Sequence, residues 1–191
     1  MKKYRGLIAA VILIALGLGY YAYLSNRNTP TPAETKTDIS SAEKLIAKDI
    51  EKNYPNTPVK VVELYSDITM AFYSENVEEE MLEKLVKQSR LLFDEELLAA
   101  NSEEDLIEQT KEEVAKYQET SQKITNYILE DSRDVDYYEL DDRSCCVVTV
   151  EYFIRNSNGG LAKTYEDFML RKDEFDHWKI VGWQLTSVEE S

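Results

Sequence analysis

The stretch Cys145 to Arg155, CCVVTVEYFIR, decides the fold. Cys146, Val148, Val150, Tyr152 and Ile154 alternate with more mixed neighbours and share one face of an extended chain. Successive side chains of a strand point to opposite faces, and β-branched and aromatic residues suit a pleated, half-buried surface. Similar runs lie on both sides. Ile124 to Glu130 and Asp134 to Leu140 come before it, the second joined through Asp141-Asp142-Arg143-Ser144. Leu161 to Arg171 and His177 to Leu185 come after it, with turns at Asn156 to Gly160 and Asp173 to Asp176. Tight turns between consecutive strands imply an antiparallel meander.

Helical patterns occupy the preceding segment. Ser40-Ser41-Ala42-Glu43 has the form of a capping box, opening a helix with Leu45, Ile46 and Ile50 on one face; Asn53-Tyr54-Pro55 stops it. Thr57 and Pro58 supply an N-cap and a proline at the first helical position. Val61, Leu64, Tyr65, Ile68, Ala71 and Phe72 then follow at steps of three and four. A third helix from about Val77 carries Met81, Leu82, Leu85, Val86, Leu92 and Phe93. A short segment from Asp94 to Ala100 precedes Ser102, which caps a last helix with Leu106, Ile107, Val114 and Tyr117.

The N-terminus reads differently. Lys2, Lys3 and Arg5 precede an uncharged run of 19 residues, Gly6 to Leu24, which as a helix would span roughly 28 Å, close to the hydrocarbon thickness of a bilayer. Tyr20, Tyr21 and Tyr23 crowd its far end, and the basic start favours a cytoplasmic N-terminus. The rival reading, a cleaved signal peptide, requires a shorter apolar core ending in small residues. The expected organisation is a cytoplasmic tip and anchor over residues 1–24, a tether over 25–38 containing Pro30 and Pro32, and an extracytoplasmic domain over 39–191. The cell membrane is thus the first expected partner, through a single-pass helix over residues 6–24. The expected fold class is α+β: an N-terminal transmembrane helix, then helices packed on a curved, cone-like antiparallel sheet of about four strands.

Composition narrows the function. The 191 residues carry a net charge of −15, with 1 His and 2 Cys. So acidic a chain lacks the general basic field that holds a phosphate backbone, so no nucleic-acid partner is expected. One histidine and two adjacent cysteines leave no multi-His site and no four-ligand zinc site, so neither metal nor cofactor is expected. The acidic stretch from Asp131 to Asp142 places Asp136 where an EF-hand loop needs glycine and Asp142 where it needs glutamate, so that pattern fails. Cys145 and Cys146 point to opposite strand faces, with Cys145 expected to be the more exposed. His177, beside a turn, is expected to be an exposed hairpin residue.

Several segments resemble a known family: the start MKKYRGLI, Lys52-Asn53-Tyr54-Pro55 with Thr57-Pro58, Asp134-Val135-Asp136-Tyr137, Leu170-Arg171-Lys172-Asp173, His177-Trp178-Lys179-Ile180 and Gly182-Trp183. They look like an uncharacterised family of short single-pass envelope proteins of Gram-positive anaerobes, carried under a domain-of-unknown-function label. The order of elements and the closing W-K-I-x-G-W strand are similar to the nuclear-transport-factor-2-like, or ketosteroid-isomerase-like, cone. That second resemblance implies a pocket between the first long helix and the sheet, lined here by Tyr65, Phe72, Tyr127, Tyr152 and Trp183, with Glu63 and Asp67 as its candidate carboxylates. A carboxylate raised in pKa beside a tyrosine could act as a general base. No spacing in the sequence forces such a pair together, and no catalytic residue is assigned. The expected function is a membrane-anchored, extracytoplasmic binding or scaffold module without catalysis, its partner an envelope protein, a peptide or a small ligand. The alternatives are a ketosteroid-isomerase-like enzyme and a structural subunit of an envelope assembly.

Overall fold

In a computed structural model, which describes residues 40–74 and 77–186, the run beginning at Arg143 forms the longest strand. The elements are α1 (Ser40–Ile46), α2 (Pro58–Ser74), α3 (Glu79–Arg90), α4 (Glu95–Ala100) and α5 (Glu103–Glu119). The strands are β1 (Lys123–Leu129), β2 (Asp136–Leu140), β3 (Arg143–Arg155), β4 (Leu161–Lys172) and β5 (Trp178–Thr186). The sheet is antiparallel, ordered β1-β3-β4-β5, with β2 also on β3.

The sheet has five strands, a correction to the expected four or so. β3 is long enough for two partners along one edge: β2 from Asp136 opposite Val147 to Leu140 opposite Arg143, and β1 from Leu129 opposite Val150 to Lys123 opposite Arg155. The lane breaks where Glu130 turns onto Thr149, whose backbone N–H donates to Glu130 Oε1 at 2.7 Å. A second correction concerns the transmembrane helix and the single-pass membrane character attached to it. Among the described residues no helix is long and apolar enough to cross a membrane. The 6–24 run and the 25–38 tether lie outside the described residues.

The alternating face of β3 builds the core. Cys146, Val148, Val150, Tyr152 and Ile154 are all buried, against Val61, Val62, Ile68 and Phe72 of α2 and Phe168 and Leu170 of β4. Bulges between Ile124 and Asn126 and opposite Met169–Leu170 bend the strands around α2. Cys145 is buried as well, against the expectation of greater exposure; both cysteines are free thiols.

The third helix stops at Arg90, before the end of its apolar stripe. Leu92 and Phe93 leave the helix to meet β5: Ile180 N–H donates to the Leu92 carbonyl at 2.8 Å, and Asp94 N–H donates to the Ile180 carbonyl at 2.8 Å. Asp94 anchors this crossing. Its side chain accepts from Glu96 N–H to cap α4, and it takes a forked pair of bonds from Arg171, Nε to Oδ2 at 3.2 Å and Nη2 to Oδ1 at 2.5 Å.

Candidate functional site

A cavity of about 110 Å³ lies between α2, α5 and the sheet. Helical geometry selects its first wall. Tyr65, Thr69 and Phe72 stand within about 60° of one another around α2 and face inward together. α5 supplies Leu106, Gln109, Thr110, Glu113 and Tyr117, also spaced by threes and fours. β3 adds Tyr152 and Ile154, β4 adds Thr164 and Glu166, and β5 adds Trp183. Phe93, placed by the crossing onto β5, closes one side beside Tyr65 and Trp183; the Tyr65 and Trp183 ring centroids are 5.2 Å apart.

Two acids face this space. On β4 the inward row is Ala162, Thr164, Glu166, Phe168 and Leu170, so Glu166 occupies a core position. Its cross-strand neighbours are Val150 and Leu185, and it is only 5% exposed. No hydrogen bond from a described residue reaches its carboxyl group. Burial, with Glu113 adding like-charge repulsion, pushes its pKa up to about 8. Glu113 is better served: the Tyr73 hydroxyl donates to its Oε2 at 2.7 Å. Burial still raises Glu113 above the usual carboxylate range, outweighing that bond and nearby Lys116. Burial also raises the phenols of Tyr65, Tyr73, Tyr117 and Tyr152, which stay protonated at neutral pH. Tyr152 and Ser66 share a buried hydroxyl–hydroxyl bond of 2.8 Å. Among the described residues no Lys, Arg or His lines the cavity.

The structure gathers Tyr65, Phe72, Tyr152 and Trp183 on the cavity wall. Tyr127, Glu63 and Asp67 lie elsewhere, the two carboxylates on the polar side of the helix. Glu63 and Asp67 are two residues either side of Tyr65, a rotation of about 200° around the helix, and so face away from it. They border a surface groove with Lys48, Asp49, Asn53 and Lys60, and Asp67 accepts the Tyr127 hydroxyl at 2.7 Å. His177 is half-exposed, stacked on Tyr54 at 4.4 Å between centroids.

Glu113 and Glu166 were the residues the sequence reading missed. Both carried a signal. Period two along A-x-T-x-E-x-F-x-L puts Glu166 in the buried row, and Glu113 follows Leu106 by seven residues, which returns a helix to nearly the same direction.

Such a site can do two things. A buried acid held protonated can give up a proton, and its carboxylate can hold a positive group where water is scarce.

Comparison with curated proteins finds no match. The chain does match the family described as a domain of unknown function, DUF6715, over residues 1–183, and it belongs to that family.

Proposed function

We propose that this domain is a non-catalytic binding module that holds a small ligand in the cavity between α2, α5 and the sheet. The observation that carries this reading is Glu166, an acid 5% exposed, turned into an open space and lacking a hydrogen-bond partner among the described residues. Packing alone would favour an apolar residue in that row, since withdrawing an acid from bulk water costs stability. A ligand that engages the carboxyl group removes that cost. We infer in addition a nuclear-transport-factor-2-like cone, supported by helices first, a bent antiparallel meander last and Trp183 on the closing strand.

The test is a fragment screen read from methyl resonances of the full chain. Binding should move the methyls of Thr69, Thr110, Ile124 and Thr164, and Thr110→Leu, which fills part of the cavity, should weaken every hit at least tenfold. Fragments that leave these methyls unmoved, or bind Thr110→Leu equally well, would refute the reading.

A second reading, a ketosteroid-isomerase-like enzyme, has one specific support: Glu166, with a pKa of about 8, is poised to exchange a proton near neutral pH. It would use Glu166 in place of Glu63 or Asp67. Conversion of a bound fragment that Glu166→Gln abolishes without loss of binding would favour the enzyme.

A further inference from the structure

We propose that the cavity's ligand is a small organic cation, an amine or quaternary ammonium group, held by the Glu166 and Glu113 carboxyl groups against aromatic rings. This rests on the binding-module reading and names its ligand class.

Charge is the first argument. Two acids face the cavity and, among the described residues, no basic side chain does, so an anion would find no counter-charge there. A neutral ligand could hydrogen-bond to the acids but would give neither of them a counter-charge when ionised. A cation answers both acids. The walls provide the second argument. Tyr65 and Trp183 form one ring pair at 5.2 Å, and Tyr73 and Tyr117 another at 4.4 Å. Aromatic faces attract a cation through the ring quadrupole, most strongly where water is excluded. Size is the third. A cavity of 110 Å³ is somewhat smaller than the ~150 Å³ apolar cavity that takes up benzene, so it suits about four or five non-hydrogen atoms. The chain's charge of −15 also raises the local concentration of cations around the domain.

Binding should then exchange one positive charge for another. In the free protein the proton on Glu166 keeps that group neutral. When a cation enters, the carboxyl O–H bond breaks, the proton passes to buffer and the carboxylate pairs with the ligand. The titratable groups facing Glu166 are Glu113 and Tyr117 from α5, Tyr65 from α2 and Tyr152 from β3, with Tyr73 of α2 beside Glu113 in the same cavity. The four phenols stay protonated, leaving the two carboxyl groups to supply the proton.

The experiment is calorimetric titration of the full chain at pH 7 with tetramethylammonium, tert-butylammonium and tert-butanol, the neutral isostere of tert-butylammonium. tert-Butylammonium should bind about tenfold more tightly than the alcohol. In Glu166→Gln that preference should fall to within about twofold. Repeating the wild-type titration in phosphate and Tris should show release of a large fraction of one proton per tetramethylammonium bound, a readout independent of whether the variant folds. If the alcohol binds as well as tert-butylammonium and moves the cavity methyls, the cation inference fails while the binding module stands. If no probe binds and no cavity methyl moves, both fail.

Discussion

Replacing Glu166 by glutamine should stabilise the protein, by an amount that grows with pH. The side chain changes little in shape, and no described residue donates a hydrogen bond that the substitution would break. What disappears is the cost of ionising a buried acid. Its pKa rises from 4.5 to about 8 on folding, and each unit is worth ~1.4 kcal/mol. Because the folded-state pKa lies above the unfolded one, the folded state is not penalised below pH 4.5. The penalty accumulates as pH rises and is complete above the folded pKa. Linkage gives an advantage for Glu166→Gln of about 1 kcal/mol at pH 5.5, about 3 at pH 7 and about 5 at pH 9. Urea denaturation of the full-length wild type and variant at those three pH values measures it, and the difference between them cancels the titration of the many surface acids. A difference that stays flat with pH would refute the reasoning, because it would mean that the Glu166 carboxyl group ionises as easily folded as unfolded. A gain in stability on removing the acid is what a residue kept for binding produces.

Other expectations concern the frame around the cavity. Arg171→Met should cost roughly 3–5 kcal/mol in chemical denaturation, because it strands Asp94, only 2% exposed; adding Asp94→Asn should recover a large part of the loss. Tyr152→Phe should cost about 1–2 kcal/mol by leaving the Ser66 hydroxyl buried and unpaired, and adding Ser66→Ala should restore about half. Both thiols are buried and Cys146 is pushed up to about 12 by burial, so a thiol-titrating disulfide reagent should find no reactive cysteine in the native chain and two in urea.

Much of the fold was legible because its signals are local. The alternation on β3, the Thr57-Pro58 start of α2 and the Ser102 cap each depend on residues close in sequence, and the structure places α2, α5 and β3 within two or three residues of those readings. The end of α3 was not legible in that way. Leu92 and Phe93 continue an apolar stripe that fits a helix, yet backbone bonds to Ile180, far along the chain, draw them out of it. The divided edge of β3 is tertiary in the same sense: each short strand reads correctly alone, but their shared partner does not appear in either. At the site, most of the aromatic wall followed from the resemblance to the cone fold, whereas the acids did not, because a glutamate in an apolar row looks like a break in the pattern until the space in front of it is seen.

The most direct test is a carbon-13 titration of the Glu166 side-chain carboxyl group, assigned by comparison with Glu166→Gln, in the free chain and with saturating tetramethylammonium. A midpoint near 8 in the free chain, moving to lower pH when the cation is bound, is the expected result. A midpoint in the ordinary carboxylate range near 4.5, unmoved by the cation, would contradict it.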